Sequence, residues 1–143
     1  MDGLTIEMDE PVNVLGAPLQ PCSRAPLTGF FRDGCCNTSA YDFGVHTICC
    51  VMTKEFLQYS RFRGNDLSTP QPEIEFFGLK EGDRWCLSAA RWLEAANFGM
   101  APKVVLNATH QRSLTVVSLE LLLQHALEEG ATDLPPASSE RLV

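Results

Sequence analysis

Residues 45–62 read VHTICCVMTKEFLQYSRF, and the fold turns on how this stretch divides. Its first eight residues, Val45 to Met52, are β-branched or apolar almost throughout, the composition of a strand. Thr53 then supplies an N-cap, and Lys54–Phe62 reads as a helix with Phe56, Leu57 and Tyr59 as its apolar contacts. Gly64-Asn65 stops it. The pattern recurs downstream. RWCLSA at 84–89 is a second strand, and Ala90–Phe98 a second helix closed by Gly99 in the C′ position. Pro102 leads into a third strand, Lys103–Ala108, whose Val104, Val105 and Leu106 are continuously apolar. Ser118 caps a last helix in which Leu119, Leu122, Leu123 and Ala126 form one stripe before Gly130. Thr109–Val117 fits no element firmly.

Between these elements the chain is full of breakers. Residues 13–29 hold three prolines and two glycines, which excludes a helix or a central strand. Asp33-Gly34 marks a turn just before the adjacent Cys35 and Cys36. NDLSTPQPEIEFFGL is a loop until at least Pro72, and KEGD at 80–83 is a turn.

The chain of 143 residues has the length of one domain, and 45% apolar with 20% charged residues is a foldable composition. The net charge of -7 is concentrated at the ends. Residues 1–10 contribute four acids and no base, residues 128–143 four acids against Arg141, and the middle is neutral. The lack of a basic cluster or nucleic-acid motif argues against nucleic acid as a partner, and no apolar run approaches the ~20 residues of a membrane span. The first residues lack the basic start and apolar stretch of a secretory signal, so a cytoplasmic protein is expected. The expected organisation is an acidic flexible N-terminus at 1–12, one domain at 13–130 and a disordered tail at 131–143.

Five strings stand out: CSRAPLTGFFRDGCC (22–36), HTICCVMTKEFL (46–57), GNDLSTPQP (64–72), GLKEGDRWCLSAARW (78–92) and APKVVLNATH (101–110). Together they resemble a bacterial family of uncharacterised proteins, domain of unknown function 2237, over about residues 13–127. The resemblance implies a single compact α+β domain, a two-layer sandwich of helices packed on a small sheet. It implies no activity. Two positions depart from the family pattern: Cys50 replaces a small residue, and Ser88 replaces the second cysteine of WCLCA, so no pair from positions 86 and 88 exists here.

Six cysteines, at 22, 35, 36, 49, 50 and 86, read first as reduced thiols in a cytoplasmic chain. No C-x-x-C is present, so the thioredoxin-like and zinc-ribbon spacings are absent. A zinc site would draw on Cys36, His46, Cys49 and Cys86. Strand parity opposes that set, because His46, Ile48 and Cys50 share one face while Thr47, Cys49 and Val51 share the other. The plainer alternative makes Cys49, Cys50 and Cys86 small buried residues. A cysteine enzyme would use Cys35 or Cys36 as thiolate, near Arg32, with His46 or His110 as base.

A third reading is a binding module. Arg32 and Asp33 flank the cysteine turn, and Asn65, Asp66, Ser68 and Thr69 gather in a loop that no regular element requires. Those side chains serve equally well to satisfy turn amides. Asp83 and Arg84 open the second strand, and Arg84 and Arg91 would either clamp a carboxylate or phosphate or simply pair with Asp83 and Glu94. His110 ends the third strand, where sheets often place ligands. Parallel strands would bring Thr53, Ala89 and His110 to one edge. With no phosphate-cradling glycine motif, no cofactor is expected. The ligand expected is a small polar molecule or a protein partner at Arg32, Asp33, His46, the 64–70 loop and Asp83.

Overall fold

The computed structural model describes residues 10–127. The acidic start, the tail and Gly130 lie outside these residues, apart from the join at 10–12, where Val12 pairs with Pro18.

Both strand–helix joints form. Strand β1 (His46–Val51) runs into helix α1 (Lys54–Phe62), and β2 (Arg84–Ser88) into α2 (Ala89–Asn97). Each helix begins on a hydroxyl cap: Thr53 accepts from the Phe56 amide, and Ser88 from the Arg91 amide. Gly99 follows α2 with φ +72°, a left-handed conformation that glycine adopts without a Cβ clash. The third strand, β3, is only Lys103–Val104, and α3 spans Leu119–Gln124.

The sheet has the order β2-β1-β3, antiparallel throughout. This corrects the parallel arrangement. Met52 donates to the Asp83 carbonyl while Ala89 donates to that of Val45, so Thr53 and Ala89 lie at opposite ends of the sheet. His110 joins the Ala89 end by donating to the Thr47 carbonyl.

Two boundaries also differ, each because another segment claims the backbone. After Val104 the chain winds into a 3-10 turn at Leu106–Ala108, where a strand was expected. The N-terminal segment takes over the pairing there: Asn13 and Gln20 both donate to the Asn107 carbonyl. Helix α3 stops at Gln124 because the next residues pair with β3, His125 accepting from Val104 and Leu127 donating back to it. Residues 111–115, unassigned from sequence, form a 3-10 helix capped by His110.

Strand parity sorts the core. Ile48, Cys50, Trp85 and Leu87 face α1 and α2, burying Phe56, Leu57, Trp92 and Ala95 with them. Trp92 is fully enclosed and donates its indole N–H to the Pro102 carbonyl at 3.1 Å. Among the described residues the opposite sheet face carries no α-helix, only the 3-10 turn at Leu106–Ala108 and irregular chain. Cys49, Cys86, Val105 and Ala108 there bury against Cys22 and Cys36 of the breaker-rich segment. The domain is therefore a mixed α+β unit whose second face is covered by irregular chain. No helix among the described residues is long and apolar enough to cross a membrane.

Candidate functional site

Beside β2 a cleft of about 780 Å³ opens, lined by four consecutive strand residues, Trp85 to Ser88. One wall comes from Gly29, Phe30 and Arg32, and the other from Asn65, Asp66, Leu67 and the 71–76 turn. His46 stands at one end, with Arg91 of α2 also contributing to the lining.

His46 owes its position to a distorted strand start. Val45 has φ +50°, a costly conformation for a β-branched residue, and the β1–β2 register slips between His46 and Ile48. The ring rests on Gly44, where any Cβ would come within 2.5 Å of Cε1. Its Nδ1 lies 2.6 Å from Oδ1 of Asp42, whose side chain is fully enclosed. Asp42 also accepts from the His46 amide at 2.8 Å and the Thr38 hydroxyl at 3.0 Å. Burial alone would raise the Asp42 pKa. The hydrogen bonds from the His46 ring and amide and from Thr38 outweigh it, and the carboxyl stays below its ordinary value. A carboxylate only accepts, so Nδ1 carries the proton of this contact, and the pair fixes the orientation of the ring at the cleft.

Two further residues in left-handed backbone adjoin the same cleft. Arg32 has φ +55° and Glu75, between the lining residues Ile74 and Phe76, has φ +57°. Such conformations cost of order 1–3 kcal/mol each and cluster at ligand sites. The Arg32 guanidinium donates to the Gly29 carbonyl at 2.7 Å and lies 5.2 Å from the centre of the Trp85 ring. Arg91 is held more loosely, 3.3 Å from the Arg63 carbonyl and 3.7 Å from Glu94.

The expected binding residues divide clearly. Arg32, His46, Asn65 and Asp66 come together in the cleft; Asp33, Ser68, Thr69, Asp83, Arg84 and His110 are not among its lining. Asp33 accepts from the Cys35 amide, a turn role. Asp66 accepts from the Ser68 and Thr69 amides and the Thr69 hydroxyl, so the loop is folded onto its own carboxylate. Asp83 accepts from the Lys80 amide and faces the Lys80 ammonium at 3.8 Å. Arg84 sits in β2 opposite Val51. His110 pairs with Asn13 and caps the 3-10 helix.

The cysteine expectations are corrected. Cys22 is bonded to Cys49 and Cys36 to Cys86, with Cα–Cα distances of 5.8 and 5.2 Å, so four of the six thiols are paired. Cys36 is buried in a disulfide and cannot be the free thiolate of a cysteine enzyme. Cys35 is free, but burial and the Asp33 carboxylate raise its pKa against the pull of Arg24, which keeps it a thiol. Cys50, also free, is enclosed in the helical-face core, and burial pushes its pKa well up. The zinc set loses His46 to the cleft. The sulfurs of Cys22, Cys36 and Cys49 instead converge within 4.8 Å of one another.

Two participants escaped the sequence reading. Cys22 carried no spacing signal, and Asp42 lies in a loop four residues before His46. An acid inside the apolar string YDFGV was the available hint for Asp42.

A family model described as "Uncharacterized protein conserved in bacteria (DUF2237)" matches residues 12–126. The chain belongs to this family. The matched span takes in the whole cleft and all six cysteines of this DUF2237 member. No curated protein matches the chain.

Proposed function

We propose that this protein binds a small organic anion, a carboxylate or phosphate attached to an apolar group, in the cleft beside β2. The observation that carries the reading is the convergence of Arg32, Arg91 and the Asp42-oriented His46 on a cleft walled by Trp85, Leu87, Phe76 and Leu67. Guanidinium groups offer planar, forked donors suited to carboxylate and phosphate oxygens. The apolar wall matches the composition of small-molecule sites, in which a few polar groups fix orientation. Asp66 does not cancel this polarity, because its oxygens are engaged by its own loop and by Arg61 at 3.7 Å.

A second reading, acid–base catalysis on the bound anion, rests on the same dyad. With Nδ1–H held by Asp42, Nε2 would take a proton from a ligand within reach. A cytoplasmic setting belongs to the proposal only with the disulfides opened, since cytosolic thiol pools keep such pairs reduced.

Thermal-shift titration with inorganic phosphate, acetate and benzoate tests the binding reading. Benzoate is expected to raise the melting temperature most, because it uses both the cations and the apolar wall. Stabilisation grows with ligand as RT ln(1 + [L]/Kd), about 2.7 kcal/mol at a hundredfold excess over Kd. Arg32→Ala and Arg91→Ala should each weaken the effect about tenfold in concentration. Failure of all three anions to shift the wild-type protein, or full binding by the Arg32→Ala, Arg91→Ala double variant, refutes it.

A further inference from the structure

The sheet face opposite the helices carries a cluster that the anion cleft does not explain. Cys22, Cys36, Cys49 and Cys86 come from four separate segments, and none is more than 5% exposed. They form their own buried group with Val105 and Ala108, apart from the main core. We propose that these four cysteines, once reduced, are the ligands of a tetrahedral zinc site, and that the two disulfides are the metal-free oxidised form of that site.

Geometry is the first support. Zinc–thiolate bonds of about 2.3 Å in a tetrahedron place sulfurs about 3.8 Å apart. Three of the sulfurs already lie within 4.8 Å of one another, and the fourth, Cys86, is bonded to one of them. Opening both disulfides lets the bonded sulfurs separate while the others draw in, around a common centre.

The supporting framework is the second. Cys49 and Cys86 face each other across β1 and β2, yet each bonds a loop cysteine and not its neighbour. Their backbone amides are held alike: Cys49 donates to the buried Thr109 hydroxyl at 3.1 Å, Cys86 to the buried Thr28 hydroxyl at 2.9 Å. Cys22 and Cys36 are brought together by the loop itself, since the Cys22 and Ser23 amides both donate to the Gly34 carbonyl. One covalent tie to the sheet would fix the place of that loop. Two pairs of thiols at one locus are what a four-ligand site requires.

The conversion balances. A dithiol reductant transfers two electrons and two protons to each disulfide, becoming a cyclic disulfide and leaving two cysteine thiols. Zinc then displaces four protons from the four thiols, and the metal keeps its oxidation state. Two equivalents of a small-molecule disulfide, each accepting two electrons and leaving as two thiolates, restore both bonds and release the ion.

The test uses the full chain carrying Cys35→Ser and Cys50→Ala, so that only the cluster cysteines remain. The protein is reduced anaerobically with a dithiol, desalted, and titrated separately with zinc and cobalt(II). A single zinc ion per chain is expected, and cobalt should give the thiolate charge-transfer and intense visible bands of a tetrahedral tetrathiolate. Adding Cys22→Ser should abolish that spectrum or reduce its charge-transfer intensity by about a quarter. A reduced chain that takes up no zinc overturns the proposal, as does a cobalt complex without the tetrathiolate signature. Should Cys22→Ser fail to fold, metal uptake and the cobalt spectrum of the four-cysteine variant still decide between the two outcomes.

Discussion

Nδ1 of His46 lies 2.6 Å from a carboxylate oxygen of Asp42, and Asp42 is enclosed while His46 reaches the cleft. The buried acid thus sets which imidazole nitrogen is available to a ligand. Asp42→Asn keeps the shape but places an amide N–H among three donors. It should lower stability by about 1–3 kcal/mol, read by urea unfolding. It should also change the acid limb. The Asp42 pKa is held below its ordinary value, so near pH 4 the unfolded chain binds the proton first. The contribution of this group is complete above the ordinary carboxylate range and is lost as pH falls through the lower folded value. In Asp42→Asn that part of the slope should vanish.

Gly44 separates ligand binding from folding. A Cβ here would meet the His46 ring at 2.5 Å from Cε1, so the ring must move. Gly44→Ala should weaken benzoate binding more than Arg91→Ala does, while the melting temperature falls by only a few degrees. Equal affinity in Gly44→Ala and wild type, by calorimetry, would show that ring placement is irrelevant to the site.

The two strand–helix joints were legible because each is a local event: a short apolar run (TICCV or WCL), a hydroxyl residue at the helix start and a glycine stop, all within about twenty residues. The truncation of β3 was not, because Asn107 is claimed by Asn13 and Gln20 from the far end of the chain. Apolar runs such as VVL do not record such competition. For the site, Arg32, Asn65 and Asp66 were visible as polar residues in turns and loops, and His46 as a polar residue in a mostly apolar strand. Asp42 was not, since its partnership depends on the left-handed turn at Val45. Strand parity correctly separated His46 from Cys49, yet spacing carried nothing about Cys22, which reaches its partner only through the folded loop.

His110 gives a second acid-sensitive window. Its pKa is lowered by burial and by the Arg112 charge, and Nδ1 accepts the Arg112 amide at 2.9 Å, which only an unprotonated nitrogen can do. The unfolded chain titrates near 6.5, above the folded value. Stability from this group is therefore full above about pH 7 and falls as pH drops through 6.5 toward the folded pKa. His110→Asn retains a capping acceptor and should flatten this window in pH-dependent urea unfolding while leaving the Asp42 limb intact.

Tyr59 places its hydroxyl out of contact with water and without a hydrogen-bond partner among the described residues. Its ring packs against Phe98 with centroids 6.1 Å apart, and that contact does not need the oxygen. Removing an unsatisfied buried polar atom should be favourable. Tyr59→Phe is expected to raise stability by ~1 kcal/mol, seen as a higher urea midpoint with an unchanged slope. A lower midpoint would mean that the hydroxyl has a partner after all.

The disulfides close loops with separations of 27 and 50 residues. Restricting the unfolded chain in this way contributes ~3.5 and ~4 kcal/mol in the loop-entropy account. Cys22→Ala, Cys49→Ala and Cys36→Ala, Cys86→Ala should therefore each cost several kcal/mol, with melting temperatures lower by ~10 °C. The two pairs share one buried cluster, so their removal should not be additive. Losing the first pair leaves the N-terminal segment tied to the sheet by the other, whereas losing both frees it, exposing Val105 and Ala108. The quadruple variant should fall further than the two losses combined. Strict additivity in denaturant unfolding would mean that the two bonds act separately and that the segment packs on the sheet without them.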